Sequence, residues 1–137
     1  MYQPVYDQRA NALIFVDDFV EGQDYLGGEV NVFVCGALQD PDKMASLIDR
    51  RAPFAPATAV GFEHIHDQID GAPVAFMVPS QDPHAILTGV LWLDLTPGEL
   101  ERIEALELRG NLRQRGGIVV HVGGKLVDGI TYMRNVD

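Results

Sequence analysis

One stretch constrains the fold of this sequence more than any other: an apolar run that ends in a glycine and leads into the start of a helix. Residues Val30 to Cys35 alternate as a β-strand does, and both faces are largely apolar, which is typical of a buried strand. Gly36 ends this strand, and Asp40 and Pro41 supply a helix N-cap and a proline at the first helical position. Such a connection leaves backbone N–H groups unpaired, and these can bind an anion or a developing oxyanion. The alternative is an ordinary strand-to-helix connection.

The clearest helix signal begins at Thr96. Thr96 and Glu99 occupy the N-cap and N3 positions of a capping box, with a proline at N1 between them. We predict a helix over residues 97–108 that ends before Gly110. At about 100° per residue, its inward face carries three apolar side chains: Leu100, Ile103 and Leu106.

A glutamate near the end of this helix is predicted to lie on its apolar face, which is unusual for a charged side chain. Of Glu99, Glu101, Glu104 and Glu107, only Glu107 is predicted to fall well within the apolar arc. One explanation is an ion pair at the helix end with one of three arginines: Arg109, Arg113 or Arg115. The other is a general base, because partial burial and the negative end of the helix dipole both raise basicity. Spacing alone leaves both explanations open.

The rest of the chain is predicted to be mostly strands. A first helix is expected over Asp40 to Arg50, with Met44, Leu47 and Ile48 on one face, and prolines at positions 53 and 56 end it. Six strands are predicted from alternation and from turn residues: Ala12–Val16, Thr58–His66, Pro73–Val78, Ile86–Asp94, Gly117–Val122 and Lys125–Met133. Trp92, in the fourth of these, is expected to be a core residue.

Length and charge limit the classes of function. At 137 residues the chain is expected to be a single domain, and its net charge of −10 argues against binding to nucleic acid or to an anionic membrane surface. No apolar run approaches ~18 residues and no signal segment opens the chain, so a cytoplasmic location is expected. Cys35 is the only cysteine, which excludes an intrachain disulfide.

Two further chemistries are suggested by individual side chains, a metal site and a cysteine nucleophile. His64 and His66 lie two residues apart in a predicted strand and share a face, but no third ligand has the spacing of a zinc site, so no metal is expected. Cys35 raises the idea of a cysteine nucleophile, although no candidate base can be assigned beside it and a strand cysteine is usually a small core residue.

Several segments together resemble one known family. Residues 32–38, V-F-V-C-G-A-L, are similar to the V-F-V-Y-G-T-L signature of the γ-glutamylcyclotransferase-like (AIG2-like) family. Residues 100–107, L-E-R-I-E-A-L-E, resemble its L-x-x-L-D-x-x-E motif, the segment from Gly89 resembles its G-V-L-W/Y strand, and Thr131 and Tyr132 resemble its closing strand. The likeness runs in the same order over residues 30–134.

The resemblance implies an α+β fold with a mixed, strongly curved or closed, barrel-like β-sheet and two main helices. The expected organisation is one γ-glutamylcyclotransferase-like domain over residues 1–137, with a family-like core at 30–134. Residues 1–29 carry six acids and one base and form an atypical acidic leader. We interpret this leader as an extra edge strand or as a contact in a homodimer.

The resemblance also implies a reaction: release of 5-oxoproline from a γ-glutamyl amine or peptide, with Glu107 as the general base. No cofactor is implied. The residues expected to bind the small-molecule substrate are Cys35, Gly36, Ala37, Leu38, Arg115 and Tyr132. The leaving amine is left open and could belong to an amino acid, a peptide, a polyamine or an antibiotic precursor.

The sequence departs from the family signature at two positions. Cys35 and Ala37 replace its tyrosine and threonine, which removes a ring and a hydroxyl from the pocket. Backbone amides from Gly36 to Leu38 do not depend on these side chains. The alternative function is therefore a catalytically inactive small-molecule-binding or interaction module on the same fold.

Overall fold

The computed structural model describes residues 1–135. These residues form nine strands and two α-helices, in this order: β1 (Gln3–Asp7), β2 (Ala12–Val16), β3 (Val32–Val34), α1 (Pro41–Ile48), β4 (Phe54–Val60), β5 (Phe62–Ile69), β6 (Ala72–Pro79), β7 (Ile86–Trp92), α2 (Pro97–Glu107), β8 (Arg113–Val122) and β9 (Lys125–Arg134). Short 3₁₀ turns follow β3 and α2, at Ala37–Gln39 and Arg109–Asn111. No helix in this part of the chain combines the length and the apolar content needed to cross a lipid bilayer.

Five strands form a closed barrel, in the order β4-β7-β3-β9-β8. The barrel closes because β8 pairs back onto β4, where Thr58 lies opposite His121. The β3–β9 pair is parallel, with Val32 opposite Ile130, and the other pairs are antiparallel. The predicted α+β fold, with a mixed, closed sheet and two main helices, is therefore confirmed.

Two hairpins are added to this barrel. Strands β1 and β2 pair with each other along their length and join β4 at a single register point, Phe15 opposite Phe54. The β2 bounds match the strand predicted in the leader, whereas β1 was not predicted. Strands β5 and β6 form a separate two-stranded sheet that turns at Asp70 and Gly71, both of which have positive φ.

The apolar residues form two clusters, one inside the barrel and one between the barrel and the helices. Ile103 of α2 and Met44 of α1 are fully buried in the second cluster, beside Trp92. The indole N–H of Trp92 donates to the Leu38 carbonyl oxygen at 3.0 Å, which ties the segment after β3 to the core. The prediction that Trp92 is a core residue is confirmed.

Three predictions about the elements were wrong. The single strand predicted over Thr58–His66 is two strands, because Gly61 adopts φ +86 and sends β4 and β5 into different sheets. Pro56 lies within β4, and α1 ends earlier, at Ile48, where Asp49 takes a left-handed conformation. Leu106 is 36% exposed although it was assigned to the inward face of α2, whereas Leu100 and Ile103 of that face pack in the second apolar cluster.

Candidate active site

A cavity of about 380 Å³ opens between the barrel, the end of α2 and the β5–β6 hairpin. Its size is within the range of small-molecule sites. The segment after β3 forms one wall, and Glu107 and Arg113 form another. The hairpin contributes a third wall, which includes His64, and β9 contributes Tyr132.

The segment after β3 lines this cavity with residues 36–38. Gly36 has φ −116 and ψ −141 and precedes the 3₁₀ turn at Ala37–Gln39. The N–H groups of Gln39 and Asp40 donate to the carbonyl oxygens of Gly36 and Ala37 at 3.1 and 3.2 Å. Within the described chain, no hydrogen bond uses the N–H groups of Gly36, Ala37 or Leu38. These amides can therefore donate to a bound oxyanion.

Glu107 occupies the last position of α2 and borders the cavity, with its side chain 20% exposed. Burial raises the pKa of its carboxyl above the ordinary glutamate value. Arg113 acts in the opposite direction, because its Nε atom lies 3.8 Å from the Glu107 Oε2 atom. The ion pair and the raised pKa coexist, so the two explanations drawn from the sequence are not exclusive.

Cys35 also lines the cavity and is partly buried. Burial, with a further contribution from the negative charge of Glu107, raises the pKa of its thiol to about 11, against the opposing charge of Arg113. Cysteine attacks as a thiolate, so a thiol that keeps its proton at neutral pH is a poor nucleophile. The environment of Cys35 thus argues against the cysteine-nucleophile hypothesis.

Tyr132 is buried in β9, and its hydroxyl donates to the Glu104 Oε2 atom at 3.0 Å. The same carboxylate lies 3.4 Å from the Arg115 Nε atom. Arg115 is half-exposed and lies outside the cavity lining, whereas Arg113, two residues earlier on β8, lies within it. The family resemblance implied substrate binding by Arg115, whereas the structure places Arg113 in the cavity lining and Arg115 outside it.

Sequence reasoning also misjudged Glu99. It predicted that Glu107 alone of the four α2 glutamates points inward, but Glu99 is 8% exposed. Its carboxylate accepts from Arg50 at 2.7 and 2.9 Å and from the Thr96 N–H at 2.9 Å. The capping box at Thr96 is present as predicted. Glu99 therefore has a structural partner for its buried charge.

His64 was considered in the sequence only as a metal ligand. In the structure it lines the cavity, and its ring centroid lies 5.4 Å from that of His66. Burial lowers its pKa, and the neighbouring His66 and Arg113 add to this effect. Residues 1–135 contain no group of three His, Cys, Asp or Glu side chains arranged to hold a metal ion.

The closed, mixed barrel and the cavity lined by both Glu107 and residues 36–38 can now be compared with known proteins. The chain belongs to the "Gamma-glutamyl cyclotransferase, AIG2-like" family, whose pattern matches residues 32–137. AIG2-like protein A of Arabidopsis thaliana is 32% identical over 103 residues, which cover 75% of this chain and 60% of that protein. The chain thus spans about 60% of the length of this relative.

Solved structures agree with this assignment of the fold. An Arabidopsis thaliana protein determined in solution is 29% identical, has a TM-score of 0.63, and is matched over 77% of this chain and 68% of its own. A structure described as a gamma-glutamyl cyclotransferase has a TM-score of 0.67 at 15% identity, over 77% of this chain and 66% of its own. The second likeness concerns the fold alone.

Proposed function

We propose that this protein is a γ-glutamylcyclotransferase-type enzyme that releases 5-oxoproline from a γ-glutamyl amine or peptide. The observation that carries the proposal is that the Glu107 carboxylate and the unused N–H groups of Gly36, Ala37 and Leu38 border the same cavity. Membership of the family supports the same reaction.

In the proposed reaction, the nucleophile belongs to the substrate. Glu107 accepts a proton from the α-amino group of the γ-glutamyl unit, and the freed nitrogen attacks the γ-carbonyl carbon. Negative charge then develops on the carbonyl oxygen, where the amides of residues 36–38 donate hydrogen bonds. Collapse of the intermediate breaks the original C–N bond, and Glu107 returns a proton to the departing nitrogen. One amide bond forms and one breaks, so the reaction consumes no oxidant or other co-reactant.

The environment of Glu107 suits this role. Burial raises the pKa of the carboxyl, so the group holds a proton more firmly than an exposed glutamate and is better matched to proton transfer near neutral pH. The rest of the acceleration comes from holding the substrate folded, with its nitrogen beside its own carbonyl carbon. These steps use groups of the chain and of the substrate, so the proposal includes no cofactor.

The replacements at Cys35 and Ala37 bear on specificity in this proposal. Both side chains are small and both line the cavity. A ring and a hydroxyl at these positions would occupy part of this space, so the wall of the pocket is altered while its backbone donors are kept. We infer that the site accepts a substrate whose leaving amine uses the space beside residues 35 and 37.

The proposal is tested by incubating the purified protein with γ-glutamyl amino acids, γ-glutamyl peptides and γ-glutamyl polyamines. The expected result is 5-oxoproline and free amine in equal amounts from at least one of them. A compound that raises the thermal midpoint without being consumed would favour the inactive binding module instead. If no compound in the panel is consumed and none raises the thermal midpoint, the result would favour an interaction module.

Three expectations from the sequence stay predictions. These are the single domain over residues 1–137, the cytoplasmic location and a homodimer contact through the leader. Sedimentation analysis of the full chain and of a Tyr6→Glu variant would test the dimer. Tyr6 lies opposite Leu13 in the β1–β2 hairpin, and both side chains are about half-exposed.

A further inference from the structure

Arg113 contacts two walls of the cavity, the end of α2 and the β5–β6 hairpin. It opens β8, and its side chain is 22% exposed. Its guanidinium lies beside the Glu107 carboxylate, with Nε 3.8 Å from Oε2. The same group donates from Nη2 to the Ala75 carbonyl oxygen at 2.6 Å and lies over the Phe76 ring, 5.1 Å from its centroid. One side chain therefore touches both the proposed base and strand β6.

Side-chain contacts join the β5–β6 hairpin to the barrel. Its strands pair with each other and form a separate sheet, so within residues 1–135 no backbone ladder connects the hairpin to the barrel. Phe76 is 1% exposed, and a second arginine, Arg134, lies over its ring at 4.9 Å and pairs with Asp67. Arg134 thus makes the same kind of contact with the hairpin, but its ion pair is with Asp67 and it does not line the cavity.

We propose that Arg113 is a positioning residue for this reaction, which holds the β5–β6 wall of the cavity against β8 and fixes the orientation and charge of the Glu107 carboxylate. This inference rests on the proposed function for its catalytic consequence. Its structural part concerns only the contacts among Arg113, Glu107 and the hairpin. Arg113 acts through Glu107 and the wall, and it is not assigned a step in the chemistry.

The charge of Arg113 is balanced against other groups around Glu107. Burial raises the pKa of Glu107, and Arg113 is the charged group that lowers it. The remaining titratable or charged side chains on the surrounding elements are Cys35, His64, Glu104, Arg109, Arg115 and Tyr132. Among these residues, Arg115 is already paired with Glu104. Removing Arg113 therefore takes away the main influence that opposes protonation of Glu107, and the carboxyl should hold its proton to higher pH.

The test compares Arg113→Met, Arg113→Lys and Arg134→Met with the wild type. Methionine keeps the length and apolar stem of arginine but not the charge, and lysine keeps the charge but not the planar fork. Arg134→Met is the matched control, since it removes the other guanidinium over Phe76 without touching Glu107. Two properties are measured: the pH profile of turnover, and the titration of Glu107 followed by ¹³C NMR of its labelled carboxyl group, assigned with Glu107→Gln.

Arg113→Met should move the acid limb of the turnover profile and the Glu107 titration to higher pH together. Below that limb, each unit of displacement lowers turnover about tenfold. Arg113→Lys should restore the limb but raise KM, because the Ala75 contact is weakened. Arg134→Met should leave the Glu107 titration in place, whatever it does to thermal stability.

An unchanged Glu107 titration in Arg113→Met would overturn the inference. So would an equal displacement in Arg134→Met, since that would be a general effect of loosening the hairpin. A wild-type protein that releases no 5-oxoproline would contradict the proposed function, yet the NMR titration would still decide whether Arg113 controls the Glu107 charge. The two failures are therefore distinguishable.

Discussion

Adding one methyl group at Gly89 should disturb both the barrel and the proposed site. Gly89 lies in β7 where this strand packs beside β3. A Cβ atom there would lie 2.4 Å from the Val34 carbonyl oxygen and 2.7 Å from the Phe33 ring. The ring can shift, but the carbonyl belongs to the backbone of a central strand and cannot rotate away. The Gly89→Ala variant must therefore separate β7 from β3 locally.

The size of the effect follows from this contact. Overpacking in a well-packed core costs about 1–3 kcal/mol, and a clash with backbone belongs at the upper end, about 3 kcal/mol. For a chain of this size, that corresponds to a fall in thermal midpoint on the order of 10 °C. Because β3 leads directly into residues 35–38, the displacement should also move the amide donors, so turnover should fall as well.

The assay is chemical and thermal unfolding of Gly89→Ala beside Gly117→Ala, with turnover measured for both. A Cβ atom at Gly117 meets nothing within 4 Å, so this variant is the matched control in the same barrel. It should be neutral or slightly stabilising, by less than about 1 kcal/mol. Equal midpoints for the two variants would refute the packing argument. A destabilised Gly89→Ala with full turnover would refute the link between β3 and the donor amides.

Three further outcomes are expected. Burial acts to raise the pKa of Glu99, but hydrogen bonds from Arg50 and the α2 cap outweigh it, so the pKa lies below its usual value. Glu99→Gln should therefore lower the unfolding free energy by about 1–2 kcal/mol at pH 7, and the difference should shrink as pH falls through the folded-state pKa. Cys35→Ala should retain turnover in a kinetic assay. A loss of turnover in this variant would support the hypothesis that Cys35 is the nucleophile. Since Arg109 lines the cavity, competition assays should favour leaving amines that carry a carboxylate over polyamines.

Local sequence signals predicted much of the fold. The capping box at Thr96 is a contact between residues three apart, and the Asp70–Gly71 turn depends on two residues with positive φ. Both can therefore be predicted from the local sequence alone. Strand β2 was predicted at its observed bounds because apolar residues run between turn residues. Closure of the barrel followed only from the family resemblance, since Thr58 and His121, which pair where the barrel closes, lie far apart in the sequence.

The parts of the site that sequence missed depend on long-range contacts. Arg50 binds Glu99 from 49 residues away, which turned an apparently exposed glutamate into a buried one. Arg113 and Arg115 lie two residues apart on one strand and so share a face. The alternation of side chains along a strand therefore could not show which arginine pairs with Glu107. That pairing depends on how α2 packs against β8.

We propose that Glu107 carries the chemistry, and the most direct test is the turnover of Glu107→Gln beside Glu101→Gln. Glutamine keeps the volume of glutamate but cannot accept the proton, so turnover in Glu107→Gln should fall by about 10²-fold or more. The variant should still fold, because burial disfavours the charged form of the Glu107 carboxyl, as its raised pKa shows, and the substitution removes that charge. Glu101 is exposed on the same helix, so its variant should match the wild type in turnover and thermal midpoint. Full turnover in Glu107→Gln, or equal losses in the two variants, would contradict the account.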